Sequence, residues 1–219
     1  MITFMKLYFV KKPGIGLIEA IAAIGILITG IISVVALAQS NLAYSQGVEA
    51  RMTATNLARE GVEVVRSIRD SNWLKGKTAD TNLANAWDEG LEFDSDPTAI
   101  PVLNITSLIW TLNPAVDNMN EEGAKITRHP AKNLYRQRPN IVPPDTITTY
   151  SRLLTLYAIC YDALGNKVAG DQAQCTGTNI KGGIKVISRV EWEEAGRRLS
   201  IEVEEWLYNW RFSNKPYEP

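Results

Sequence analysis

The chain has 219 residues, 45% of them hydrophobic, with 23 basic side chains against 24 acidic ones. That length allows one anchoring segment plus one globular domain of about 150 residues, and argues against two full soluble domains. A formal net charge of -1 excludes a global attraction to nucleic acid or acidic lipid, and the two cysteines have neither CxxC spacing nor a nearby histidine to complete a zinc site.

The first fourteen residues, MITFMKLYFVKKPG, carry Lys6, Lys11 and Lys12 and no acid. Residues 15–38 follow as an apolar run in which Glu19 is the one charged side chain and Thr29 and Ser33 are the other polar ones. At about 1.5 Å per residue this run reaches about 36 Å, enough to cross a hydrocarbon core with some tilt. The positive-inside rule keeps the basic end in the cytoplasm and sends the rest of the chain across. A secretory signal peptide has a similar start, and Ala36-Leu37-Ala38 is an A-x-A site, but the apolar region of a signal peptide spans about 7 to 15 residues. A secreted domain cut after Ala38 and an uncleaved anchor both stay open. A carboxylate in such a run costs about 2 to 3 kcal/mol at mid-membrane, so Glu19 calls either for a partner or for a place near the interface.

The helical pattern continues past Ala38. Residues 40–69 contain no proline, and Ala54, Leu57, Ala58, Gly61, Val62, Val65 and Ile68 recur at spacings of three and four. Arg59 with Glu63, and Glu63 with Arg66, are placed to pair on the helix surface. One helix is therefore expected from Gly16 to Arg69, roughly 80 Å long. Gly47 and Gly61 weaken it locally, and Asp70-Ser71-Asn72 supplies turn chemistry to stop it.

Residues 73–145 shift to Asn, Asp, Pro and Gly and read as a loop-rich middle, with short strand-like pieces at 103–105 and 107–112. Residues 152–161, RLLTLYAICY, are apolar enough for a central strand, and residues 163–166 look like the turn after it. Gly182-Gly183 reads as another turn. Ile184, Val186, Val190 and Trp192 then alternate, as do Leu199, Ile201 and Val203 beyond Ala195-Gly196, which predicts a hairpin with one buried face. Alternation breaks at residues 204–207, so a bulge or strand end is expected there. Cys160 and Cys175 lack metal-site spacing; in an exported domain a disulfide between them is the natural reading, contributing about 3 kcal/mol in the chain-entropy account, with two free thiols as the alternative.

Little in the sequence could assemble an enzyme. His129 is the only histidine, and the chain has no GxSxG, no phosphate-cradling Gly-Lys-Ser/Thr loop and no dinucleotide fingerprint. Between Asp70 and Lys125 there are ten acids against three lysines, and residues 88–96 offer oxygen ligands for calcium, but without EF-hand spacing they read more plainly as a solvated loop. Arg128, His129, Lys132, Arg136 and Arg138, with Tyr135 among them, form a basic stretch. It could grip a phosphate backbone, or lie solvated, or meet an acidic region of a neighbouring molecule; nucleic acid is not the expected partner. Trp192, Trp206 and Trp210 are read as packing residues.

The segment Gly14-Ile15-Gly16-Leu17-Ile18-Glu19, after Lys11-Lys12 and before a long apolar helix, resembles the N-terminus of type IV pilin-like proteins, the class of pilus subunits and type II secretion pseudopilins. Ile15 and Gly16 stand where the family usually has phenylalanine and threonine. The resemblance covers about 70 residues. It implies cleavage by a prepilin peptidase after Gly14, N-methylation of Ile15, and Glu19 as the acid that meets the new amino terminus of a neighbouring subunit. Residues 56–74 and the closing hairpin look more like minor pilins or minor pseudopilins than major subunits.

Together these readings predict an α+β chain in which a long N-terminal helix packs against a small antiparallel sheet. Its parts would be a leader (1–14), a membrane segment (15–38), an amphipathic continuation (39–72) and an extracytoplasmic head (73–219). The resemblance implies a non-enzymatic subunit without cofactor, held singly across the inner or cytoplasmic membrane before joining a pilus or pseudopilus. Its expected partners are other subunits, the peptidase/methyltransferase, an inner-membrane assembly platform and, before assembly, lipid.

Overall fold

The computed structural model describes residues 16–76, 86–93, 96–132 and 134–209. Two compact units divide the chain between Glu49 and Ala50. The architecture is α+β: one helix, α1 (Leu17–Leu74), precedes an antiparallel sheet. The strands are β1 (Thr98–Asn104), β2 (Ile109–Asn113), β3 (Lys125–His129), β4 (Leu134–Arg136), β5 (Thr146–Tyr161), β6 (Ile180–Glu194) and β7 (Arg197–Tyr208), with a 3-10 turn at Glu122–Ala124.

In the first unit, residues 16–46 are exposed all round. In the second, α1 buries Ala54, Leu57, Ala58, Gly61, Val62 and Val65, the stripe that the three-and-four spacing predicts, together with Val64, Arg69 and Asn72. Val62 and Val65 pack with Leu154, Leu156, Ile184, Val186 and Leu207, while Ala54, Leu57 and Ala58 pack with Ile126, Val190 and Trp192. At Gly61 the helix lies close against the sheet: a Cβ there would lie 2.5 Å from Ser188 Oγ and 2.8 Å from Leu154 Cδ2. Its absent side chain, an intrinsic weakness in an isolated helix, is what admits the sheet.

Asp70-Ser71-Asn72 does not end the helix, which runs on to Leu74. Asn72 is buried and its Nδ2 donates to the carbonyls of Trp87 (3.1 Å) and Glu89 (2.9 Å), so its polar group serves a tertiary contact rather than a turn. Those bonds fasten a segment that puts Trp87 and Leu91, both buried, into the main core.

The middle of the chain is less loop-rich than its composition suggests. β1 and β2 form a hairpin, and Thr98 and Ala99 join it to β5 through Thr155 and Leu154. The predicted piece at 107–112 starts only at Ile109, because Asn104 Oδ1 accepts from the Thr106 and Ser107 amides and holds those residues in the turn. β5 is central, paired to β6 along one side and to β1 and β3 along the other. It begins at Thr146, six residues before the apolar run, where Thr146, Ile147 and Ser151 pair with β3. Past β5, the Asp162 carboxylate accepts from the Leu164 and Asn166 amides and shapes the expected turn.

Gly182-Gly183 is no turn; both lie inside β6. The register between β5 and β6 shifts at Ile159/Cys160, and a Cβ on Gly183 would lie 2.9 Å from the Leu207 carbonyl oxygen. The glycines there let neighbouring strands close over an irregular pairing. The β6–β7 hairpin turns at Ala195-Gly196, both with positive φ (49° and 73°), as a two-residue turn between right-twisted strands requires. No bulge interrupts β7 at 204–207: pairing runs unbroken from Glu194↔Arg197 to Gly183↔Tyr208. The alternation holds there too, since Ile201, Val203, Glu205 and Leu207 are the more buried set and the inward position 205 is filled by a glutamate paired with Arg66.

Candidate functional site

In the first unit the candidate site is the apolar surface of α1. Leu17, Ile18, Ile21, Ile24, Ile26, Leu27, Ile31 and Ile32 are all more than half exposed. Water does not sustain so extensive an apolar surface; lipid or other helices do. The polar side chains within it are turned back onto the helix, Thr29 Oγ1 donating to the Ile26 carbonyl at 2.9 Å and Ser33 Oγ to the Thr29 carbonyl at 2.8 Å, which suits an apolar surrounding. Glu19 lies exposed in the first turn, where a negative charge meets the positive end of the helix dipole. Gly14 and Ile15, the proposed cleavage and methylation positions, and the leader 1–14 lie outside the described residues.

In the second unit the ionisable groups drawn into the interior hold the fold together. Arg152, the one charge in the apolar β5 run, is fully buried. Its Nη1 donates to the Leu57 carbonyl (2.8 Å) and to Glu60 (2.9 Å), and its Nε donates to Gln137 Oε1 (2.8 Å). Burial pushes the Arg152 guanidinium pKa down, and the Glu60 carboxylate opposes that shift. Gln137, also buried, donates onward to the carbonyls of Ala124 and Arg152, so one network ties α1 to β5 and to the segments beside it. A second lock is Arg66, held by Glu63 one helical turn away and by Glu205 of β7; its bond to Glu205 raises its pKa.

The fold draws members out of both charge clusters singled out in the sequence. In the acidic run, Asp88 is buried against Lys181 Nζ at 2.6 Å, and Asp96 accepts from the Thr98 amide and hydroxyl. A lysine thus occupies the place beside Asp88 that a cation would need; Asp94 and Ser95 are outside the described residues. In the basic stretch, Arg136 is buried and paired with Asp145, its Nε donating at 2.7 Å. This takes the middle of the stretch away from any phosphate grip.

Cys160 and Cys175 are bridged, with Cα atoms 5.6 Å apart. The bridge fastens a loop that also returns to the end of β5 through the Val168 amide on the Cys160 carbonyl (2.8 Å) and the Ala158 amide on the Gln172 carbonyl (2.7 Å). Against this loop, on the sheet face away from α1, Trp206 is 40% exposed rather than core, with Lys167 Nζ 3.5 Å from its ring centroid. Lys185 nearby is held by Asp171 at 3.0 Å, which raises its pKa. Trp192 is buried as expected, and Trp210 lies outside the described residues.

Arg152 and Glu205 were the residues that strand reading could have flagged, each a charge at a position whose strand neighbours two residues away are apolar. Asn72 and Trp87 carried no periodic signal. One helix near the N-terminus is thus long and apolar enough to span a membrane, and an antiparallel sheet unit follows it. Comparison with family models, with curated proteins and with solved structures finds no match for this chain.

Proposed function

We propose that the chain is a structural subunit of a type IV pilin-like filament, a pilus or a secretion pseudopilus, and that it assembles through the apolar half of α1. The observation that carries this reading is a helix exposed all round over residues 16–46, with a glutamate in its first turn, that continues without a break into a half packed on an antiparallel sheet. The first half has the surface of something meant to be covered by lipid and then by copies of itself.

Removal of residues 1–14 by a prepilin peptidase places a positive amine on Ile15, four residues from Glu19. In a filament the Glu19 carboxylate of one subunit lies beside the Ile15 amine of the next, so two charges that are each costly in an apolar medium neutralise one another. The chain is then a processed substrate rather than an enzyme, held in the inner membrane by one span with its sheet unit outside. Its partners are other subunits, the peptidase/methyltransferase and the assembly platform.

Glu19→Ala tests the charge pairing. Insertion and cleavage are expected to stay at wild-type levels while recovery in sheared filaments falls at least tenfold. Undiminished incorporation contradicts the reading.

A further inference from the structure

β7 is a twelve-residue strand that pairs, among the described residues, with β6 alone. The outer strands elsewhere in the sheet are short, five residues for β2 and three for β4. A long flat edge is ordinarily blunted by proline, lysine or other charged side chains, by an inward-pointing charge or by a bulge; the inward charge at position 205 of this edge is neutralised by Arg66. The β7 sequence, RRLSIEVEEWLY, has no proline or lysine, and its register with β6 is unbroken. Its charges are arranged asymmetrically instead: two arginines, Arg197 and Arg198, open the strand, and its glutamates, Glu202, Glu204 and Glu205, all follow them.

That order makes the strand complementary to an inverted copy of itself. In a two-fold antiparallel pair, the apolar faces of both copies stay on one side of the joined sheet only when opposed residues are both odd-numbered or both even-numbered. Among the registers that satisfy this, the one centred on Ile201 sets Arg197 opposite Glu205, Arg198 opposite Glu204, Leu199 opposite Val203, Ser200 opposite Glu202, and Ile201 opposite itself. Moving the centre to Glu202 opposes two like charges on the axis, and moving it to Val203 sets Glu202 against Glu204 twice. Moving it to Ser200 keeps only the Arg198–Glu202 match. Opposed unlike charges stabilise cross-strand neighbours and like charges destabilise them, so the pattern selects one register.

The residues concerned are accessible: the side chains of Arg198 and Glu204 are 67% and 46% exposed, and Leu199 is 37% exposed. Glu205 is a third exposed beside Arg66, so an incoming arginine would extend an existing pair.

We infer that the β7 edge is a self-association surface, joining two copies of this chain into one continuous sheet through an antiparallel β7–β7 pair centred on Ile201. A two-fold contact closes on itself, so it is distinct from the repeating contact that builds a filament and does not depend on the pilin-like reading.

The test uses full-length protein in detergent. Because Cys160 and Cys175 are already bridged, one introduced thiol reports contact between copies. Opposed residues of an antiparallel pair have Cα atoms about 4.5 to 5.5 Å apart, within disulfide reach. Ile201→Cys is expected to oxidise to a covalent dimer at least ten times faster than Arg189→Cys, an exposed position on neighbouring β6. In the Ile201→Cys background, Arg198→Glu and Glu204→Arg should each slow dimer formation about tenfold, and the two together should restore it to within twofold, because the exchange rebuilds both pairs. Equal rates at positions 201 and 189 overturn the proposal. So does failure of the double exchange to rescue when the native disulfide and tryptophan fluorescence show the variants folded.

Discussion

Helix α1 contains two stretches with opposite surroundings. Residues 16–46 expose their apolar side chains on every face, while residues 50–74 bury a stripe and, Arg69 apart, keep their charges at or near the surface. Each stretch also carries a carboxylate next to apolar surface. Glu60 meets its cation, Arg152, within the chain; under the proposed function Glu19 meets its own in another copy. One backbone conformation thus serves two environments, and what separates them is the distribution of side chains around the axis.

The difference can be broken most sharply at Arg152. Arg152→Ala leaves the buried Gln137 and the Leu57 carbonyl without their shared donor and frees the partly exposed Glu60, and is expected to cost about 2 to 4 kcal/mol in denaturant unfolding of the sheet unit. Glu19→Ala should leave that unfolding unchanged. Apolar truncation gives the next contrast. Leu57→Ala is expected to lose about 2 to 4 kcal/mol, since Leu57 is 5% exposed and its removal opens a cavity. Ile24→Ala, at a position 55% exposed, should leave the same transition in place. Glycines give the smallest contrast. Gly61→Ala drives a methyl into Ser188 and Leu154 and is expected to cost about 1 to 3 kcal/mol. Gly25→Ala, with nothing within 4 Å, should be neutral. Equal effects in the two stretches would erase the distinction.

Periodicity made much of this legible. The spacing of Ala54, Leu57, Ala58, Gly61, Val62 and Val65 identifies the buried stripe, and alternation in residues 184–203 identifies the closing hairpin, because both signals repeat over many residues. What stayed hidden depends on single long-range contacts. Asp70-Ser71-Asn72 looks like a stop only until Trp87 and Glu89 present carbonyls to Asn72. Gly182-Gly183 looks like a turn only until Leu207 and Tyr208 close over it. Glu205 appears to break the alternation because its partner, Arg66, lies 139 residues earlier. At the candidate site, the apolar run and Glu19 were plain from composition, whereas the withdrawal of one acid and one base from the charge clusters into buried pairs, Asp88 with Lys181 and Arg136 with Asp145, required the fold.

The proposed assembly begins with a cut, so the mass of the mature chain bears on it most directly. Intact-mass analysis of protein extracted from membranes of cells with an active prepilin peptidase should show a chain that starts at a methylated Ile15. A chain beginning at Met1 in those cells, or at Gln39, would contradict the account.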